Sequence, residues 1–398
     1  MENRGAFPRK AEPVLPRGAR PSLYLHVPFC AAKCGYCSFY SRRAGDGEVA
    51  AWLDALEAEA RAWRSRLGGR IPLRTLYIGG GTPSLLTPED WRRVLRTLEA
   101  MADLSSLEEA SVEANPSSLT KEHLTVWKDG GFTRVSLGVQ SLDDGELRRI
   151  GRLHDAAGAL RAMEVVLDAG LRLSADLIFG LPDQTLRSWS ASLRGVLAAG
   201  AGHLSTYQLT LEPDAPMSRQ GFPLPDGYPL YRYAQWFLAK KKFLQYEISS
   251  FAPAGAECRH NLAYWRQEPV LPLGPAAWGY LDGWRWSNPP TLEAYLEAAR
   301  HGFPNPFAGA ERLSPRARVL EAAILALRTR WGIDRLEFSR RWGAGMLREV
   351  EGVLLGLPPH LLRVDERSLA LTPAGMRVGN AVWAELMALE DPNTPSLE

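Results

Sequence analysis

Long apolar runs are missing from this sequence. No stretch approaches the ~20 consecutive apolar residues that a bilayer-spanning helix needs, so no transmembrane segment is expected. Charge of one sign is missing too: 47 Lys and Arg against 45 Asp and Glu leave a formal net charge of +2 over 398 residues. The basic residues, mostly Arg, are scattered, which argues against a nucleic-acid partner and against RNA modification as the activity. Cysteine is scarce. There are only 4, Cys30, Cys34, Cys37 and Cys258, and the first three fall within one short segment. The opening segment MENRGAFPRKAEPVLPRGAR is polar and Pro-rich, without the apolar core of a secretory signal. Residues 1–20 are expected to be a disordered lead-in, and the protein is expected to be cytoplasmic, with peripheral membrane contact left open. In that reducing compartment disulfides are rare, so clustered thiols favour metal.

What is present is a foldable chain. Hydrophobic residues make up 45% and charged residues 23%, enough for a packed core. The length fits one large domain with a smaller one. From residue 22 to about 250, short β-rich runs alternate with amphipathic helical runs. Strands are predicted at 22–27, 75–80, 110–115, 134–139, 171–180, 203–209 and 246–252. Helices are predicted between them, at 47–67, 88–101, 121–131, 143–150, 155–169, 185–199 and 228–244. Repeated β-α units of this length imply a parallel sheet with covering helices, and six of them imply a barrel, full or partial. The fold class is therefore α/β, a partial (β/α)6 barrel spanning 21–251.

Residues 252–306 break the pattern. They are rich in Pro, Gly and Trp, too aromatic for a flexible linker, and read as an ordered excursion packed on the barrel. The last unit, 307–390, carries predicted helices at 316–330, 334–342 and 345–355. A hairpin in LLRVDERSLALT and a helix at 374–389 follow. This is a winged-helix-like α+β arrangement without a basic recognition helix.

The strongest chemical signal is His26-Val-Pro-Phe-Cys30-Ala-Ala-Lys-Cys34-Gly-Tyr-Cys37-Ser-Phe39, a C-x3-C-x2-C spacing in the loop after the first strand. Three thiolates hold only three irons of a four-iron cube and leave the fourth open to an exchangeable ligand. The competing reading is zinc. A structural zinc site needs four closed ligands; no further Cys or His lies nearby on the C-terminal side, and His26 falls on the strand.

The motif YLHVPFCxxxCxYCxF resembles the radical S-adenosylmethionine (SAM) family of oxygen-independent coproporphyrinogen III oxidases and their HemW-type heme-chaperone relatives. The resemblance runs from about residue 22 to 386. It includes Gly79-Gly80-Gly81-Thr82-Pro83, Glu113-Ala-Asn115-Pro116, Arg134-Val-Ser136-Leu-Gly138-Val-Gln140, Gly151-Arg152-Leu-His154, Asp176-Leu-Ile-Phe-Gly180 and Tyr246-Glu247-Ile-Ser249. It implies a radical SAM barrel with a [4Fe–4S] cluster on Cys30, Cys34 and Cys37. The open iron would take the amino and carboxylate groups of SAM. It implies SAM contacts from Gly80, Gly81 and Thr82 at the glycine turn, from Arg152 toward the carboxylate, from Glu113 and Asp176 on the ribose and amino sides, and from Gln140. Tyr24 and Phe39 are implied beside the cluster and SAM.

Two details separate the branches of this family. Oxidases usually carry a fourth cysteine two residues after the third, where this chain has Phe39. The segment Cys258-Arg-His260-Asn261-Leu-Ala-Tyr264-Trp265 contains H-N-x-x-Y-W, a motif of the chaperone branch tied to heme. Imidazole is a common axial ligand of heme iron, so His260, Asn261, Tyr264 and Trp265 are heme candidates, with Cys258 as a second iron ligand to consider. The expected function is heme chaperoning, with heme and acceptor hemoproteins as partners. The alternative is coproporphyrinogen III oxidase activity in porphyrin biosynthesis.

Overall fold

The computed structural model describes residues 13–390 apart from 17, 214, 222 and 308; most of the 1–20 lead-in therefore lies outside the described residues. Six β-α units follow one another. The strands are β1 (Ser22–Val27), β2 (Thr75–Gly80), β3 (Glu109–Ala114), β4 (Arg134–Gln140), β5 (Arg172–Phe179) and β6 (His203–Gln208). The helices are α1 (Glu48–Arg66), α2 (Pro88–Met101), α3 (Lys121–Asp129), α4 (Ala156–Asp168), α5 (Leu186–Ala198) and α6 (Gly227–Lys240), with one extra turn at Asp144–Arg149. Local chemistry sets the starts. Thr87 caps α2 by accepting from the Asp90 N–H while the Asp90 carboxylate reaches back, and Pro88 opens the first turn.

Each strand obeys a period of two. Leu23, Leu25, Leu76, Ile78, Val112, Val135, Leu137, Leu173 and Ala175 are buried outward beneath the helices, against Trp52, Trp91, Trp127 and Trp189. The alternate positions, Tyr77, Glu109, Glu113, Arg134, Ser136, Ser174, Asp176, His203, Ser205 and Tyr207, carry polar groups on the opposite face. The barrel interior is therefore polar, and the apolar core is the layer between sheet and helices.

The sheet has 12 strands. Residues 250–252 form β7, antiparallel to β6. The expected strand over 246–252 is shorter than predicted, because a tight turn occupies its first half: the Ser249 N–H donates to the Glu247 carboxylate and the Tyr246 N–H to the Ser250 carbonyl. Residues 252–306 do more than pack on the barrel. After α7 (Arg259–Trp265), β8 (Val270–Leu273) runs parallel to β1, and the hairpin β9 (Trp278–Leu281) and β10 (Trp284–Ser287) extends the same sheet. The sheet is open, and its outermost members are two-residue strands, Glu311–Arg312 beside β10 and Leu244–Gln245 beside β7. Helix α8 (Leu292–Arg300) then packs on α1, where the Tyr295 hydroxyl donates to buried Glu59.

A second apolar core gathers α9 (Pro315–Leu327), α10 (Arg335–Trp342), α11 (Ala344–Leu355) and the hairpin β11 (Leu362–Val364) and β12 (Ser368–Leu371). The final helix is broken rather than continuous: Pro373–Arg377 and Gly379–Met387 are separated at Val378. This module is tied to the barrel where Gln235 donates to the Pro373 carbonyl and the Arg330 N–H to Tyr246.

Candidate functional site

The C-terminal ends of β1–β6 open onto a cavity of about 430 Å3. Cys30, Cys34 and Cys37 line one wall. Their loop is held by a short parallel bridge: the Cys30 N–H donates to the Arg42 carbonyl, and the Arg42 N–H to Pro28, both at 2.9 Å. Thr82 donates to Cys30 Sγ at 3.4 Å and Arg152 Nη1 to Cys34 Sγ at 3.6 Å, so both thiols already face donors. Burial pushes the Cys37 thiol up from its ordinary value, and neighbouring Cys34 and Cys30 add to this. Among the described residues, no three Cys, His, Asp or Glu converge closely enough for a single metal ion. Thiols spread along a wall suit a cube, in which each thiolate meets a different iron.

The opposite wall bears the carboxylates. Glu113 accepts from the Tyr77 hydroxyl at 2.9 Å and the Gly80 N–H at 3.1 Å. Burial, with Asp176 nearby, raises it to about 7. Asp176 accepts from Ser136, and burial raises it to about 6 against the pull of Ser136 and Ser205. Facing them, Arg152 gives Nη2 to the Gly138 carbonyl at 2.6 Å, while its buried Nε has no partner. A guanidinium beside two buried carboxylates is a donor and acceptor set for an amino acid with a ribose diol, which is the chemistry SAM presents.

Two backbone positions are constrained here. A Cβ on Gly79 would meet the Glu113 carboxylate at 2.7 Å, and one on Gly80, at φ 108°, would enter the His26 ring at 2.5 Å. Gln140 itself takes φ 65° where the register of β4 with β5 shifts. A strained non-Gly residue at the rim of a cavity is a common mark of function.

The chain matches the Radical SAM superfamily over residues 24–194. It is 33% identical over 380 residues to the heme chaperone HemW of Bacillus subtilis, an alignment covering 92% of this chain and 99% of that one. The chain belongs to the HemW family of radical SAM proteins. HemW of Lactococcus lactis is 32% identical over 381 residues, covering 94% and 98%. Among solved structures, coproporphyrinogen III oxidase HemN of Escherichia coli, a radical SAM enzyme, matches with a TM-score of 0.80 at 22% identity, covering 92% of this chain and 90% of that one. At that identity the likeness is one of fold. Membership in the superfamily implies SAM and a [4Fe–4S] cluster, and the HemW branch implies heme.

In this HemW-family chain the cavity brings together Cys30, Cys34, Cys37, Phe39, Gly80, Gly81, Thr82, Glu113, Gln140, Arg152 and Asp176. Tyr24 is not among the lining residues. Its ring stacks on Tyr77 at 6.3 Å and its hydroxyl meets His26 Nδ1 at 3.1 Å, because Tyr24 and Tyr77 are register partners on β1 and β2. The heme candidates lie elsewhere. Helix α7 caps the opposite, N-terminal end of the strands; His260 there is only 1% exposed, with Nδ1 on Thr75 at 2.8 Å and its ring stacked on Tyr77 at 5.2 Å. Burial lowers His260 to about 3, so it is neutral. Asn261, Tyr264 and Trp265 are half-buried on the same helix, Tyr264 edge-on to His260. Cys258 is buried against Glu109 at 3.4 Å.

Sequence reasoning missed Tyr77 and Tyr207. Both hold the period-two inward position of their strands, and counting back from Gly79 or on from Ser205 finds them. Tyr207 is 45% exposed because it lines the open cavity.

Proposed function

We propose that this chain binds heme and passes it to acceptor hemoproteins, using a [4Fe–4S] cluster on Cys30, Cys34 and Cys37 with SAM beside it. The observation that carries this reading is full-length relationship to proteins named heme chaperone HemW, joined to a cavity whose donors match SAM. When bound, the cluster and SAM supply one-electron chemistry at the sulfonium. The residues do the rest. Arg152 orients the carboxylate of SAM through its guanidinium, which lines the cavity. Glu113, steadied by Tyr77 and Gly80, and Asp176, steadied by Ser136, accept from the ribose and amino groups. Gly80, Gly81 and Thr82 let backbone approach closely, and Gln140 adds a hydrogen bond. Phe39, 68% exposed at the rim, shields the cavity from water when the site fills.

The test is an anaerobic hemin titration of the cluster-reconstituted protein, followed by its Soret band. Saturation near one heme per chain is the expected result. Absence of saturable binding, together with turnover of coproporphyrinogen III, would replace this reading with the oxidase.

A further inference from the structure

Three successive inward positions of β2, Thr75, Tyr77 and Gly79, run from the floor of the barrel to its mouth. His260 meets the first two. Thr75 gives its proton to Ser22 Oγ at 2.8 Å, so in the 2.8 Å contact with His260 it is Nδ1–H that donates, and Nε2 is left bare. The imidazole stacks on Tyr77 at 5.2 Å and 28°. Tyr24 stacks on the same tyrosine from β1, at 6.3 Å and 26°. So held, the Tyr77 hydroxyl is directed at Glu113, 2.9 Å away, and Gly79 leaves the room that this carboxylate occupies.

Helix α7 is not free to carry the ring away. The Arg259 and His260 N–H groups both donate to Glu109, at 2.9 and 3.3 Å, and the Cys258 N–H donates to Tyr246. Glu109 is itself paired with Arg134. Glu113, at the other end of the column, has no such cation. It forms no ion pair among the described residues, and two donors hold it, the Tyr77 hydroxyl and the Gly80 N–H. A hydrogen bond to a charged group is stronger than one between neutral groups, so the loss of either donor matters. His260 is 1% exposed and its Nε2 meets no partner, so the imidazole acts here by its stacked ring and its single bond to Thr75.

We propose that His260 is a positioning residue of the SAM cavity: α7 holds its ring against Tyr77, and Tyr77 holds the Glu113 carboxylate where SAM needs an acceptor. The inference rests on the reading of that cavity as a SAM site, and it gives the H-N-x-x-Y-W segment a role that requires no contact with heme. Removing the imidazole opens space beside Tyr77. The phenol tilts into that space, and its bond to Glu113 lengthens. Glu113 then loses a donor that favours its ionised form, so SAM binding moves to higher pH. The other titratable groups around Glu113 are Asp176 on β5, Arg152, Tyr24 and Tyr207, which stay the same in every variant below.

SAM is titrated anaerobically, by calorimetry and across the Glu113 titration, into the full-length, cluster-reconstituted chain and into Tyr77→Phe, His260→Ala, His260→Phe and the Tyr77→Phe/His260→Ala double variant. Tyr77→Phe should weaken SAM about tenfold at neutral pH, the scale of one hydrogen bond to a charged group, and move the pH midpoint upward. His260→Ala should move both in the same direction, with a loss of about threefold. In the Tyr77→Phe background it should add almost nothing, because the group it acts through is gone. His260→Phe keeps a ring on Tyr77 without a nitrogen and should recover the wild-type midpoint. Should His260→Ala not fold, Thr75→Val replaces the oxygen that holds Nδ1 by a methyl group and is expected to show the same shift. An unchanged affinity and midpoint in whichever of these two folds overturns the positioning role and leaves the SAM site standing. A loss that adds in full to that of Tyr77→Phe, or that His260→Phe shares in full, also overturns it. Absence of SAM binding by the wild type removes the SAM reading of the cavity, and this inference with it.

Discussion

At the floor of the barrel, Glu109 and Arg134 form an ion pair at 3.0 Å with side chains 0% and 2% exposed. Glu109 also accepts from the Arg259 N–H, and Arg134 donates to the Ala256 and Glu257 carbonyls. His203 is held between Ser174 and Tyr246, and Tyr246 accepts from the Cys258 N–H. Two to four residues further along the same strands, at the mouth, Glu113 and Asp176 face an open cavity, joined by Arg152 from the loop after Asp144–Arg149, whose Nε is unmatched. One period-two pattern thus builds two opposite things. Where a capping helix closes the strand ends, the polar groups find one another and become structure. Where loops leave the ends open, the same residue types keep bonding positions for a ligand. The floor is not perfectly matched: His260 Nε2, Ser111 Oγ and Trp265 Nε1 are buried without a partner.

The comparison breaks most decisively at the mouth. Cys34→Ala is expected to abolish the broad visible absorbance of the cluster and to cut bound iron from about four per chain. Retention of the full iron complement would show that the three-cysteine wall is not the cluster site. At the floor, Arg134→Ala leaves Glu109 buried and unpaired, and is expected to cost about 3–5 kcal/mol of stability in chemical denaturation. An unchanged midpoint would mean that the floor is wetter than its burial says. The third test concerns pH, where the two ends have opposite signs. Glu113 is raised from 4.5 to about 7 in the folded chain. Its contribution to stability is full below its unfolded value and is lost as pH rises through about 7. His260 is lowered from 6.5 to about 3, so its contribution is full above 6.5 and is lost as pH falls toward 3. Thermal unfolding of the SAM-free protein should therefore show Glu113→Gln flattening the decline between pH 4.5 and 7 while leaving the acid-side loss in place. An identical profile in wild type and variant would mean that Glu113 titrates at its ordinary value.

Much of this was legible beforehand. The six β-α units could be read because their helices are amphipathic and their strands end in turn residues, as with Thr87-Pro88 opening α2 and Gly79–Gly81 closing β2. The cysteine loop was legible because its spacing is local. Long-range features were not. YEISSFA has the composition of a strand, yet a buried Glu247 turns its first half. The H-N-x-x-Y-W segment reads only as part of an ordered, aromatic-rich excursion, and no local pattern says that it forms a helix closing the far end of the barrel. Nothing local marks Tyr77 and Tyr207; strand pairing sets Tyr77 opposite Ser111 and Tyr207 opposite Ile178, one inward step from Glu113 and Asp176.

The sheet's two-residue margins carry a consequence for how the molecule behaves in company. A 12-stranded open sheet ordinarily offers two long ribbons of unpaired amides to any passing chain. Here each ribbon is trimmed to Glu311–Arg312 on one side and Leu244–Gln245 on the other, and the first of these margins is charged. Neighbouring copies find almost no backbone ladder to extend, so the chain resists edge-to-edge association at high concentration while its larger surfaces remain free for transient encounters.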